Sequence, residues 1–242
     1  MPPEQLRATD ALFLDFDGTL VEIADHPARV LPPTGLPQML DAARTRLGGA
    51  LAIVTGRSLE DVDGWLRPFR FAGGGLHGAQ LRSRYGGQVA MLEERAVTAI
   101  AEAAVAALRA HEGTWVEDKG SAVALHYRGA PLSAPTCLAV ADELAGRFGL
   151  RAVPGKMVVE IRSHGTSKGS VVQALMELPP FAGRRPVFVG DDVTDEDGFA
   201  AAAALGGFGI RIGPGETGAR YTMPGVRALL AWLSADTEED RS

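Results

Sequence analysis

The chain of 242 residues carries 24 basic and 30 acidic side chains, a formal net charge of -6, and is 46% hydrophobic, enough for one substantial core or two modest ones. It has no Lys/Arg block to follow a nucleic-acid backbone, no apolar run of membrane-spanning length and no signal-peptide pattern at its start, so nucleic-acid and membrane partners are not expected and a cytoplasmic monomer is. Cys137 is the single cysteine; its apolar neighbours predict a buried thiol, and any metal must be held by oxygen or imidazole.

In chain order, the apolar stretch Ala11–Phe16 reads as a buried strand of a parallel sheet. A helix over about 35–47 follows, then a strand over Ala50–Val54 that ends at Thr55-Gly56-Arg57, a helix opened by the cap Ser58 with Asp61 three residues on, and a short strand at Phe69–Ala72. This strand and helix alternation predicts an open α/β sheet with its site at the carboxyl ends of the strands.

The pattern changes after Gly73-Gly74-Gly75. A hairpin near 80–89 is expected, followed by a helix over about 93–110, strands at 114–117 and 122–127, a helix at 135–148, and strands near 150–153 and 157–161. A helix, strand, strand unit used twice suits a small antiparallel sheet covered on one face. The first pattern resumes with a helix from Lys168 that stops at Pro179-Pro180, a strand at Val187–Val189, a helix at 196–204, a strand at 209–212 and a helix at 226–233 before a polar tail, 236–242. The expected domains are thus a core of residues 1–78 and 163–242, split by an inserted lid of residues 79–162 with hinges near Gly75 and Ser163.

Two acidic corners stand where strands end. Asp15-Phe16-Asp17-Gly18-Thr19 places two carboxylates beside a glycine that permits a turn, and Gly190-Asp191-Asp192-Val193-Thr194-Asp195-Glu196 repeats the arrangement. Carboxylates held this close need a cation or a shared proton, and oxygen ligands of this kind suit Mg²⁺. Thr55 and its following amides, and Lys168 at a helix start, supply donors for a phosphate. The chain uses only three lysines, Lys119, Lys156 and Lys168, each beside a glycine. His111 and the tryptophans Trp65, Trp115 and Trp232 read as surface or core residues.

These four motifs, in this order, resemble those of phosphatases of the haloacid dehalogenase superfamily: Asp15 to Thr19, Thr55, Lys168, and Gly190 to Asp192. The resemblance implies an α/β, Rossmannoid core with a parallel sheet and an inserted α+β (C2-type) cap. Within the superfamily the chain is similar to trehalose-6-phosphate phosphatases, through His77-Gly78, Glu117-Asp118-Lys119-Gly120, His126-Tyr127-Arg128, Gly155-Lys156 and Glu160-Ile161-Arg162. It departs at Ser163, where a proline is usual, and at the glycine run 73–75.

What the resemblance implies is a Mg²⁺-dependent hydrolysis of a sugar phosphate through an aspartyl-phosphate. Asp15 would be the nucleophile and Asp17 the acid and base, with Thr55 and Lys168 on the phosphate and Asp195 orienting Lys168 or the motif loop. The metal set would be Asp15, Asp17 (through its carbonyl), Asp191 and Asp192. Substrate contacts would come from Thr55, Gly56, Arg57, His77 and Lys168, and in the lid from Glu117, Lys119 and Glu160, with His126, Arg128 and Lys156 secondary. Another sugar phosphate, such as a sucrose phosphate or mannosyl-phosphoglycerate, and a catalytically silent sugar-binding protein are the alternatives.

Overall fold

A computed structural model describes residues 3–23, 30–91, 97–119, 122–148, 150–162 and 166–235. The chain forms two compact units, one of residues 1–90 and 167–242 and one of residues 91–166. The expected hinge residue Ser163, Gly120, the start of the helix at 93 and the tail 236–242 lie outside the described residues.

The first unit opens with β1 (Asp10–Leu14), α1 (Leu36–Arg46), β2 (Leu51–Val54), α2 (Leu59–Trp65), β3 (Ala72–Gly75) and β4 (Gln80–Arg82), and β5 (Ala90–Met91) stands at the boundary of the two units. The second unit holds α3 (Val97–Leu108), β6 (Trp115–Asp118), β7 (Val123–His126), α4 (Ala134–Phe148), β8 (Arg151–Gly155) and β9 (Val158–Arg162). The chain then returns to the first unit with α5 (Lys168–Met176), β10 (Arg185–Gly190), α6 (Glu196–Ala204), β11 (Phe208–Ile212), β12 (Tyr221–Met223) and α7 (Val226–Ser234).

The large sheet has the order β12-β11-β10-β1-β2-β3-β4-β5. Its pairs from β12 to β3 are parallel, and β4 turns back antiparallel on β3. Every residue of β1 is buried because successive side chains enter opposite packed layers. Leu12 and Leu14 join Leu40, Leu229 and Leu233 on one face, while Ala11 and Phe13 join Val171, Leu175 and Phe199 on the other. That double coverage is why the strand reads as a continuous apolar run. The capping of α2 follows the sequence reading, with the Ser58 hydroxyl accepting the Asp61 amide at 3.1 Å.

Three features differ from the sequence reading. The third strand lies three residues later than expected, through the glycines: a Cβ on Gly73 would stand 2.0 Å from the Ile53 carbonyl oxygen, and one on Gly74 would stand 2.4 Å from Val171. Neighbouring backbone and helix approach so closely there that only glycine fits. The strand β12 was not anticipated, its three residues being too few for a periodic signal.

The third difference concerns residues 79–90, which the sequence reading placed in the lid and which belong to the large unit. Gly74 pairs with Leu81, and Arg82, 1% exposed, donates to Asp63 of α2 at 2.7 and 2.6 Å and to the Phe71 carbonyl at 3.1 Å. This bidentate pairing of a buried guanidinium ties β4 to α2.

The second unit is an antiparallel sheet of order β6-β7-β9-β8. Leu125, Val159 and Ile161 pack on Ile100, Ala104, Cys137 and Ala141 of α3 and α4, and Cys137 is fully buried as expected. Strand alternation sends Trp115, Glu117, His126 and Glu160 to the opposite face. No described helix is long and apolar enough to cross a membrane.

Candidate active site

The site of the large unit is built where β1, β2 and β10 end. Asp15 directly follows β1, and its amide donates to the Val189 carbonyl of β10 at 2.9 Å, so the ladder itself fixes its position. The chain then turns at Gly18, in the left-handed region with φ +81°; a Cβ there would lie 2.1 Å from Asp191 Oδ2. Glycine is therefore required twice over, by conformation and by the closeness of the second acidic corner. Gly190 is equally confined, since its Cβ would stand 2.2 Å from Asp195 Cγ.

Lys168, the first residue of α5, is 4% exposed and lies between two carboxylates. Its Nζ donates to Asp15 Oδ1 at 2.7 Å and to Asp195 Oδ1 at 2.6 Å. The other oxygen of Asp195 accepts the backbone N–H groups of Asp191 and Asp192 at 3.0 and 2.9 Å, so this one side chain fixes both the lysine and the second corner. Thr19 donates its hydroxyl to Asp191 Oδ1 at 3.2 Å. Ligand oxygens of Asp15, Asp191 and Asp195 lie within 4.8 Å of one another.

Three acids and one lysine leave the cluster with excess negative charge. Burial, opposed by Lys168, raises the Asp15 carboxyl to about 6. Burial and then the Asp195 charge raise Asp191 to about 6, against the Thr19 hydrogen bond and a hydrogen bond shared with the Asp15 carboxyl. Burial and the Asp15 charge raise Asp195 to about 7. For Lys168 burial disfavours the charge, but the flanking carboxylates outweigh it and the ammonium is held above its ordinary range. Two carboxyls in hydrogen-bond contact require a proton or a cation between them, and an all-oxygen donor set suits a hard divalent ion. The residues Asp15, Asp191 and Asp195 therefore fit a divalent metal.

Asp17 is elsewhere engaged. Its carboxylate accepts Arg57 Nε at 2.5 Å and Arg57 Nη2 at 2.7 Å, while the guanidinium lies 4.7 Å from the centroid of Trp65, which in turn stacks on Phe16 at 5.4 Å. Thr55, buried at the end of β2, accepts the Arg57 amide on its hydroxyl at 3.1 Å. Leu76 and His77 both adopt left-handed backbone, and a Cβ on Gly56 would meet the His77 ring at 2.7 Å. Asp192 is exposed and turns its Oδ1 to its own helical start, accepting the Val193 amide at 2.7 Å.

In the second unit Lys119 Nζ donates to Glu160 Oε1 at 2.6 Å, and His126 Nε2 lies 2.9 Å from Glu117 Oε2. Lys156 is exposed in the turn between β8 and β9, and Arg128 is exposed after β7. Of the residues singled out by sequence, Asp15, Lys168, Asp191 and Asp195 thus form one cluster, Asp17, Thr55 and Arg57 a second linked set, and Glu117, Lys119, His126 and Glu160 a network in the other unit. Thr19 and Trp65 were not assigned a role from sequence. Thr19 could have been, as a hydroxyl inside the first acidic motif.

A parallel sheet with an acidic, lysine-bridged cluster at its strand ends and an α+β insert is the architecture of the haloacid dehalogenase class. Solved structures share the fold: the C-terminal domain of trehalose-6-phosphate phosphatase from C. albicans superposes with TM-score 0.77 at 22% identity, covering 93% of this chain and 91% of that one. The family model described as trehalose-phosphatase matches residues 13–226. Trehalose-6-phosphate phosphatase of Escherichia coli (strain K12) is 40% identical over 235 residues, covering 96% of this chain and 88% of that protein. A probable trehalose-phosphate phosphatase of Sinorhizobium fredii is 42% identical, with 93% and 88% covered. The chain belongs to the trehalose-phosphatase family of the haloacid dehalogenase superfamily.

The raised carboxyl pKa values predict how metal and pH act together. Between about pH 4, the ordinary carboxylate range, and pH 6 to 7, the folded cluster holds more protons than the unfolded chain, so stability in the absence of metal falls as pH rises through that window. A divalent ion competes with those protons. Thermal unfolding is expected to show a Mg²⁺-induced rise in midpoint that is small at pH 5 and large at pH 8, approaching about 2.7 kcal/mol of stabilisation at 100 times Kd. An equal shift at both pH values would show that the ion binds elsewhere.

Proposed function

We propose that this protein hydrolyses trehalose 6-phosphate to trehalose and phosphate, with Mg²⁺, through a phosphorylated Asp15. The observation that carries the chemistry is the Lys168 ammonium seated between Asp15 and Asp195, 2.7 and 2.6 Å away. It holds one oxygen of Asp15, offsets the repulsion between this carboxylate and an incoming phosphate, and fixes the direction of attack. The likeness to phosphatases named for this substrate, across 96% of the chain in one case, supports the choice of sugar.

In the first step a carboxylate oxygen of Asp15 attacks phosphorus in line, forming the acyl phosphate bond as the ester bond to the sugar oxygen breaks. Asp17, protonated, gives its proton to that leaving oxygen, and so must loosen its two bonds to Arg57. Arg57, backed by Trp65, then receives the carboxylate that this transfer produces. In the second step Asp17 takes a proton from water, which attacks phosphorus and releases phosphate and free Asp15. Thr55 and Lys168 hold the equatorial oxygens throughout. Mg²⁺ would be held by the expected set of Asp15, the Asp17 carbonyl, Asp191 and Asp192, of which Asp15 and Asp191 share a close cluster with Asp195, and it would supply positive charge that offsets theirs and the phosphate's. Asp195 chiefly orients, because both of its oxygens already accept hydrogen bonds. In the insert, Glu117, Lys119 and Glu160 take the sugar hydroxyls, which require both acceptors and donors.

A panel of sugar phosphates assayed with Mg²⁺ tests the reading. Trehalose 6-phosphate should exceed glucose 6-phosphate by about 10²-fold or more in kcat/KM, since a site built for hydroxyls is left unpaired by a substrate lacking them. A monosaccharide phosphate or sucrose phosphate turned over as well as trehalose 6-phosphate would overturn it.

A further inference from the structure

The ion pair between Asp17 and Arg57 rests on an aromatic ring. Trp65, the last residue of α2, is half-buried. Its ring stacks on that of Phe16, with centroids 5.4 Å apart and planes 11° from parallel, and the Arg57 guanidinium lies over it at 4.7 Å from the centroid. One side chain therefore touches both the chain neighbour of Asp17 and the cation that holds the Asp17 carboxylate. The ring is itself fixed from elsewhere. Gln80 and Arg82, at alternate positions of β4, send their side chains off one face of that strand. Gln80 Oε1 accepts the amide of Leu59, the first residue of α2, at 2.8 Å, and Arg82 donates to Asp63, two residues before Trp65, at 2.7 and 2.6 Å. A helix of seven residues is thus pinned near both ends by contacts that involve neither Arg57 nor Asp17.

The chemistry gives such a support a purpose. In each turnover Asp17 has to leave Arg57 when it is protonated and return to it as a carboxylate. An arginine side chain has many rotamers, and while the carboxylate is away the guanidinium lacks this partner. An aromatic face attracts a cation with or without a counter-ion, so Trp65 keeps the guanidinium where the returning carboxylate needs it. An aliphatic residue could fill the space against Phe16 but offers no such attraction. We infer that Trp65 is a positioning residue for Asp17, acting through Arg57, and that its place on a helix pinned by β4 is what keeps the pair aligned. The inference rests on the proposed reading of Asp17 as acid and base.

The test follows release of the leaving group in the first turnover for wild type, Trp65→Leu, Trp65→Phe and Asp17→Asn. Leucine keeps helix propensity and an apolar contact with Phe16, and phenylalanine keeps a ring. The sugar oxygen of trehalose 6-phosphate leaves only with a proton, whereas p-nitrophenolate leaves without one. Trp65→Leu should therefore slow release of trehalose about tenfold, the scale of one desolvated contact between cation and ring, and leave first-turnover release from p-nitrophenyl phosphate unchanged. Later turnovers of p-nitrophenyl phosphate should slow by a similar factor, because Asp17 activates the water whichever group has left. Trp65→Phe should recover most of the loss, and in an Arg57→Ala background Trp65→Leu should add none. Wild-type rates in Trp65→Leu, or a full further loss in the Arg57→Ala background, would overturn the inference while the functional reading stands. An equal loss in first-turnover release of both leaving groups would mark Trp65 as structural and overturn it as well. If Asp17→Asn itself slows both first-turnover releases alike, the reading of Asp17 falls and the inference with it.

Discussion

Replacing Asp15 by Asn should lower kcat for the sugar phosphate by roughly 10⁴- to 10⁶-fold, the scale on which loss of a nucleophile is felt, while leaving the fold intact. The two effects separate because of what surrounds the side chain. Asp15 is 4% exposed and shares a small volume with Asp191 and Asp195, so its charge is a liability to the metal-free protein. Asparagine removes that charge and keeps an oxygen for Lys168, which retains Asp195 at 2.6 Å. Thermal unfolding without metal at pH 8 should therefore give a midpoint no lower than that of wild type. Near-normal turnover by the variant would remove Asp15 from the chemistry, and a collapsed fold would show that its charge is structural.

Lys168→Met should produce the opposite balance. The substitution leaves two buried carboxylates facing each other with no cation between them, at a cost of about 3–5 kcal/mol, equivalent to a fall on the order of 10 °C in midpoint for a chain of this size. Turnover should fall as well, by about 10²- to 10³-fold, because the phosphate loses a fixed donor. The destabilisation should be greatest at pH 8 and shrink towards pH 5. Asp15 and Asp195 are raised to about 6 and 7 even with the lysine present, and without it they hold their protons to higher pH still, so under acid conditions the repulsion is absent. Melting curves across that range check the sign directly; a loss of stability independent of pH would mean that packing of the lysine stem, rather than its charge, is what matters.

Much of this arrangement was legible in the sequence because each acidic corner sits directly after an apolar strand. Strand ends in a parallel sheet converge, so Asp15 and Asp191 could be expected together, and Lys168 at a helix start could be expected beside them. The features that escaped share a physical cause, which is that they depend on what lies across space rather than along the chain. The glycines 73–75 read as a break after a strand, whereas they are the strand, because the Ile53 carbonyl and Val171 leave no room for a side chain. Residues 80–82 read as part of the insert, but their place in the large unit is set by β3 and by the Arg82–Asp63 pair, neither of which has a local signature. Trp65 reads as an ordinary aromatic. Its meaning comes from Arg57, through a ring contact that no spacing rule anticipates.

The engagement of Asp17 is the clearest such case. Sequence placed it two residues from Asp15 as a partner in the same chemistry, but its carboxylate is bound to Arg57 forty residues away. The turn at Gly18 and the Phe16–Trp65 stack make this possible, by letting adjacent carboxylates face different partners. Separate environments for Asp15 and Asp17 are what a division between nucleophile and proton carrier requires.

The most direct test of the central claim is to stop the reaction in acid within a single turnover and locate the phosphoryl group by peptide mass spectrometry. Wild type should carry one acid-trapped phosphoryl group on the peptide containing Asp15, removed by hydroxylamine as an acyl phosphate is, and Asp15→Asn should carry none. A phosphoryl group on another residue, or full turnover with no phosphorylated peptide at any quench time, would contradict the account.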